Sequence, residues 1–387
     1  MLSRIACFAA LACSTLLLGS TTSPSTMVSA AALTRDDVRL ATQIYNNKFY
    51  NEYGNYGNSK KAMYMENTKR DHRQDFWREL EAIETLIDAY EVTRDEEFKK
   101  RIKYLYHGFR DKHGLTWEKN DFNDDVIWGV LMAIRAFEIF NDGAMMQMAI
   151  DNFNIVWKRG WDDKVGGGLW WKTDKKTKNT CVNAPAAIAA VLLHRETGDA
   201  VYKDRAHKIM QWTKSKLLDN GSGEVKGAMN AAGKVTEGGR TYTQGTYIGA
   251  AGMLHPLYPS EGWLDSAIKA TDYAKNKMAG SNGLLPDEYC DGMADCPGFK
   301  SIFARWVGFF VRDHKQQQRY GAWLEKNAKA AWGVRNKDGL MWAKWGQRTP
   351  DNAVLTSWET ASGVSMMSSV FFYHNEKKIA RQLRSIE

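Results

Sequence analysis

Twelve stretches of this chain space their apolar residues at the 3.6-residue period of a helix: 35–51, 72–93, 95–111, 124–141, 143–158, 179–197, 199–218, 243–257, 260–279, 299–312, 314–332 and 352–376. The links between them alternate in length. "VTRDEE", "FNDGA" and "ETGDAV" are tight polar connectors that combine helix stop and start signals. "DKHGLTWEKNDFN", "GWDDKVGGGLWWKTDKK", "GSGEVKGAMNAAGKVTEGGRTY", "GSNGLLPDEYCDGMADCPG" and "NKDGLMWAKWGQRTP" are long and rich in Gly and Trp. Helices that follow one another this evenly, with no low-complexity linker to divide them, fit a single domain over 31–387. The pattern predicts an all-α (α/α)6 barrel, in which six helical hairpins form an inner and an outer ring and the long links lie between hairpins. An irregular helical bundle is the competing arrangement. With the second helix of each pair facing inward, the inner helices begin near Trp77, Asp124 and Asp125, Asn183, Gln244, Arg305 and Trp358. A barrel would bring all of these to one mouth.

The first residues follow a different logic. "MLSRIACFAALACSTLLLGSTTSPSTMVSAA" has one Arg, an apolar run from Ile5 to Leu18 and then small residues, with Val28 and Ala30 placed for cleavage. It reads as a secretory signal peptide over 1–30. The run is shorter than the roughly 20 residues of a membrane span. The last residues, "FFYHNEKKIARQLRSIE", are too polar for a GPI-anchor tail, so a soluble, exported monomer without stable membrane association is expected. Three cysteines then remain. Cys290 and Cys296 in "YCDGMADCPG" are the natural disulfide in an oxidising compartment, and Cys181 is expected to be a small buried filler. Asn220, in Asn-Gly-Ser, is a candidate glycan acceptor.

The formal charge of +8 is dispersed in short runs, which favours a solvated surface over a nucleic-acid site. More telling are the 15 Trp, many of them in Gly-rich loops. Flat rings in loops suit sugar-binding clefts, because the C–H face of a pyranose stacks on them. The chain has no HExxH, P-loop, Rossmann or GxSxG pattern. His107 and His113 lack metal-ligand spacing and are expected at the surface, and neither metal nor cofactor is expected.

"NDD", residues 123–125, opens the apolar segment 124–141. Asn123 or Asp124 can cap a helix there, and acids near a helix N-terminus benefit from the macrodipole. One cap residue would be enough, however. An EF-hand beginning at Asp121 would need Gly at its sixth position and Glu at its twelfth, where Val126 and Met132 stand. The remaining reading is a carboxylate pair for glycoside hydrolysis, one acid as nucleophile and one as proton donor, about 5–5.5 Å apart in a retaining enzyme. Mutual repulsion would help to keep one of the two protonated.

"FNDDVIWGVLMAIRAFEIFND", "GGGLWWKTDKKTKNTCVNAPAAIAAVLLHRETGD", "YTQGTYIGA" and "PGFKSIFARWVGFF" together resemble glycoside hydrolase family 76, the endo-α-1,6-mannanases, from about Leu40 to Val370. The resemblance implies an (α/α)6 barrel that hydrolyses α-1,6-linked mannan with retention, Asp124 being the nucleophile and Asp125 the general acid/base. It also implies a cleft lined by Asn183, Tyr242, Gln244 and Arg305, with Trp128 beside them; Trp77, Asn123 and Trp358, near the starts of inner helices, are further candidates for substrate binding. Where members often carry an aromatic residue before the pair and Trp-Trp soon after, this chain has Asn123 and Ile127-Trp128. The expected partner is an α-1,6-linked mannose polysaccharide or glycoprotein glycan, and the expected place is secreted or wall-associated. Some members are wall proteins proposed to transfer mannose chains of GPI glycans, so transglycosylation is an alternative, as is a non-catalytic mannan-binding protein. An enzyme of the same fold acting on acidic sugars would need a basic cluster at the mouth, where only Arg305 is expected.

Overall fold

The short connectors show how the chain turns. Arg94, Asn141 and Gly198 each adopt the left-handed conformation (φ 55°, 52° and 72°), ending one helix, and the Asp that follows caps the next. Asp95 accepts from Glu97 N at 2.9 Å, Asp142 from Ala144 N at 3.0 Å and Asp199 from Val201 N at 2.9 Å. A stop and a start compressed into two residues leave the second helix no choice but to fold back beside the first.

The computed structural model describes residues 32–290 and 294–374. The proposed signal peptide and, of the C-terminal stretch, residues 375–387 lie outside the described residues. Among those described, the outer helices are α1 (Arg35–Phe49), α3 (Glu96–His113), α5 (Gly143–Gly160), α7 (Ala200–Lys216), α9 (Trp263–Tyr273) and α11 (Gln317–Gly333). The inner helices are α2 (Phe76–Thr93), α4 (Asn123–Phe140), α6 (Thr180–Thr197), α8 (Thr241–Leu254), α10 (Phe299–Asp313) and α12 (Ser357–Ser369). Each inner helix packs on the next and α12 closes on α2, giving an (α/α)6 toroid. Outer helices bury one stripe; α6, α8 and α12 are buried on every side. The inner ring is tightest between α8 and α10, where a Cβ on Gly245 would come within 2.5 Å of Phe303 Cα.

All twelve anticipated helices are present and the second of each pair does face inward. The long links differ from expectation: they run from each outer helix to the inner helix after it, so they lie within those pairs rather than between them. Their inner ends therefore gather around the N-termini of the inner ring.

Short strands, which the periodicity did not signal, occupy parts of these links. β1 (Tyr50–Tyr56) and β2 (Ser59–Tyr64) form an antiparallel hairpin with Tyr50 opposite Tyr64. β3 (Thr177–Asn179), β4 (Ala228–Asn230) and β5 (Val235–Glu237) form a small antiparallel sheet with β4 in the centre. The hairpin covers His107, which is 7% exposed and stacked on Tyr56 at 4.7 Å rather than at the surface. His113 likewise packs against Phe76 and Phe109, and burial lowers its pKa to about 4.

The barrel axis is polar. Glu81, Glu84, Asp88 and Glu91 recur along one face of α2 and are buried. Arg305 of α10 meets Glu81 at 2.6 Å and Asp88 at 2.9 Å, while Arg135 of α4 meets Glu84, and Asp88 at 2.8 Å. Burial raises Glu81 to about 7, with Arg305 opposing the shift.

Candidate active site

A cleft of about 910 Å³ opens over the N-terminal ends of α2, α4, α6, α8 and α10. Its walls include Trp77, Phe122, Trp128, Trp171, Tyr242 and Phe299, with the end of β5 and the residues after it, 236–240, on one side. Asp124 and Asp125, in the first turn of α4, point into it. Three pairs of adjacent aspartates occur in the chain, at 36–37, 124–125 and 162–163, and only the middle one lines the cleft.

The two carboxyls have different surroundings. Trp171 Nε1 donates to Asp124 Oδ2 at 2.9 Å, and the Cys181 thiol lies against the same group. Burial raises the Asp124 pKa to about 6, and these donors with nearby backbone N–H groups hold it from rising further. Asp125 receives one hydrogen bond, from Asn120 Nδ2 to Oδ2 at 3.0 Å. Burial and the Asp124 charge push Asp125 up to about 8, with Asp75 and Asp295 adding to the repulsion. These environments favour the ionised form at Asp124 and the protonated form at Asp125.

Of the expected cleft residues, Trp77, Trp128 and Tyr242 line the cavity alongside the pair. The others do not. Asn123 is buried, donating to Trp170 O at 2.8 Å and accepting from Arg159 Nε at 2.7 Å. Asn183 clamps both backbone groups of Leu169, accepting from N at 2.7 Å and donating to O at 2.9 Å. Gln244 does the same for the chain at Val225 N and Gly223 O. These amides use their hydrogen bonds to pin the long links, which cannot satisfy their own backbone groups once buried. Arg305 stands seven residues into α10, about two turns below the mouth, in the axial charge network. Trp358 is fully buried behind Trp77, ring centroids 5.0 Å apart, and its Nε1 donates to Asp295 O at 2.7 Å. It packs over Gly298, where a Cβ would fall 2.1 Å from its ring.

Sequence reasoning missed Trp171, Asn120, Phe122 and Arg78; Cys181 is buried as expected, and it also lines the cleft against Asp124. Arg78 pairs with Asp295 at 2.6 Å and lies over Trp77. The run "GGGLWWKTDKK" held the available signal for Trp171: two indoles in a link that leads to an inner helix. Cys290 and Cys296 are bonded, with Cα atoms 5.6 Å apart, and Cys290 lies on the cleft wall. Asn220 is exposed in a turn. Among the described residues, no group of three His, Cys, Asp or Glu is arranged to hold a metal ion.

Fold and site together define an (α/α)6 toroid with a carboxylate pair at the mouth of an aromatic cleft. The model of glycosyl hydrolase family 76 matches residues 34–382. The chain belongs to that family. It is 27% identical over 237 residues to the mannan endo-1,6-alpha-mannosidase DCW1 of Saccharomyces cerevisiae, covering 56% of this chain and 52% of that one. To the protein of the same name from Candida glabrata it is 27% identical over 284 residues, covering 66% and 63% respectively. The matched region thus spans between half and two thirds of those curated relatives. Among solved structures, it resembles an inactive variant of the alpha-1,6-mannanase GH76A of Salegentibacter sp. HEL1_6 in complex with alpha-1,6-mannotriose. That likeness has a TM-score of 0.77 at 25% identity and covers 88% of this chain and 99% of that one. In that variant, two adjacent aspartates are replaced by asparagine.

Proposed function

We propose that this protein is a secreted or wall-associated glycoside hydrolase that cleaves α-1,6-mannosidic bonds in mannan or mannoprotein glycans with retention of configuration. The observation that carries this reading is the asymmetry of Asp124 and Asp125 at the foot of the aromatic cleft. A retaining glycosidase needs an ionised nucleophile beside a protonated acid. Asp124, with Trp171 and Cys181 as donors, is suited to stay ionised, and Asp125, against the Asp124 charge, to stay protonated. Asp124 attacks the anomeric carbon while Asp125 gives its proton to the departing oxygen. Asp125 then takes a proton from the incoming water, which releases the sugar from Asp124. The order of roles follows from the environments and agrees with the one that the family resemblance implies. In the Salegentibacter relative, the inactive variant has an adjacent aspartate pair replaced, which supports giving the chemistry to the only such pair lining this cleft. Trp77, Trp128 and Tyr242 supply stacking and polar surface for the mannose rings.

Among the described residues, no helix is long and apolar enough to cross a membrane. Export rests on the N-terminal sequence, and the exposed Asn220 would then be open to glycosylation. Incubation with linear α-1,6-mannooligosaccharides, followed by mass and anomer analysis, tests the activity. Shortened products that first appear as the α-anomer are expected. Lengthened products would make it a transferase, and tight binding without any new reducing ends would make it a binding protein.

A further inference from the structure

We propose that Arg159, which stands on the outer helix α5 behind the cleft, is a positioning residue that sets the hydrogen-bond donors of both Asp124 and Asp125. The inference rests on the roles proposed for the pair and deepens them. Arg159 lies in the last turn of α5, and its guanidinium donates two hydrogen bonds to the link ahead of α4 and one to the first residue of that helix. Nη1 reaches Glu118 O, Nη2 reaches Asn120 O and Nε reaches Asn123 Oδ1, each at 2.7 Å. Three acceptors met in fixed directions suit a planar fork, which a lysine ammonium does not reproduce.

From this hub, two branches reach the acids. In the first, Asn120 is held by its carbonyl while its Oδ1 accepts from Phe122 N at 2.9 Å, so that Nδ2 is aimed at Asp125 Oδ2, 3.0 Å away. In the second, Arg159 fixes the orientation of the Asn123 amide, whose Nδ2 then donates to Trp170 O at 2.8 Å. Asn123 N donates to Trp171 O at 2.8 Å, and the Trp171 indole is left facing Asp124. Gly160 makes room for this: a Cβ there would lie 3.1 Å from Asn123 Nδ2. One outer-ring side chain thus ties together the loop that serves the acid/base and the link that serves the nucleophile.

The consequence is electrostatic. Each donor favours the ionised form of the acid it touches, so Asn120 limits how far Asp125 is pushed up. The other groups bearing on the pair are Asp75 of the α2 N-terminus, Asp295 ahead of α10, with which Arg78 pairs, and Cys181 and Tyr242 around Asp124, with Glu237 acting on the last two. Glu118 and Asp121 bear on Arg159 itself.

The test is a titration of substrate-free protein labelled with ¹⁵N-tryptophan. The Trp171 Nε1–H signal, assigned by its loss in Trp171→Phe, reports both protonation steps of the coupled pair. Asn120→Asp keeps the acceptor for Phe122 N but replaces the donor to Asp125 with a carboxylate. The upper step is expected to rise by at least about one pH unit. Arg159→Lys is expected to move the same step upward by less, and to lower kcat on α-1,6-mannooligosaccharides by about tenfold or more with little change in KM. Unmoved steps in Arg159→Lys, whether or not stability falls and whatever Asn120→Asp does, would overturn the proposal and leave Arg159 a structural brace. Shifted steps in a protein that never turns over mannan would uphold it while refuting the hydrolase reading.

Discussion

The inner ring buries acids in two places and treats them differently. Along the axis, Glu81, Glu84 and Asp88 touch Arg135 or Arg305. At the mouth, the charges bearing on Asp125 are further acids: Asp124, Asp75 and Asp295. Arg135 is on the same helix as the pair, ten residues on, about 15 Å further along α4. The difference separates two uses of buried charge. Paired acids cross-link helices, and removing one partner leaves a desolvated ion behind. Unpaired acids in a cleft are destabilising but reactive, because their pKa values are split around neutrality.

Substitutions can break this contrast from either end. The largest effect is expected at the mouth: Asp124→Ala and Asp125→Ala should each lower turnover of α-1,6-mannan by several orders of magnitude, with an unchanged circular dichroism spectrum. Near-normal rates in either variant would remove the pair from the mechanism. On the axis, Arg305→Ala should act on stability, costing about 3–5 kcal/mol in urea unfolding. A variant that melts like the wild type but no longer binds mannan would return Arg305 to the cleft.

The smallest effect concerns Asp125 and stability. Its folded pKa is raised from 3.8 to about 8, so the folded chain holds the proton more tightly than the unfolded one. The stability linked to that proton is present below about 4 and is lost as pH rises toward about 8. Asp125→Asn removes the penalty and should raise the melting temperature at pH 7, with the gain shrinking toward pH 4. A gain independent of pH would place the penalty elsewhere.

Much of this was legible in the chain. The twelve helices follow from apolar spacing, and the two-residue connectors Arg94-Asp95, Asn141-Asp142 and Gly198-Asp199 mark where they fold back. The β1–β2 hairpin was harder to see because its strand residues are largely polar, although Gly57-Asn58 supplies a two-residue turn with φ +55° at Gly57. Asp124 and Asp125 stood out because two acids together exceed what a cap requires. Asn183, Gln244 and Arg305 were expected at the mouth from their places in the first half of inner helices and from the family resemblance. Sequence position gives the level of a residue along its helix only to within a turn or so, and it does not reveal which neighbour has already taken its hydrogen bonds.

By itself, then, the sequence determined the ring of paired helices and the acidic pair, since periodicity, caps and adjacent charges are local properties. Only the tertiary structure decided how the surroundings of the two acids differ and which polar side chains line the cleft. Those outcomes depend on groups brought in from afar, Trp171 to Asp124, Arg159 to Asn120 and Asn123, and Glu81 and Asp88 to Arg305. Electrostatics and hydrogen bonding act through space at a few ångströms, and that proximity exists only once the toroid has closed.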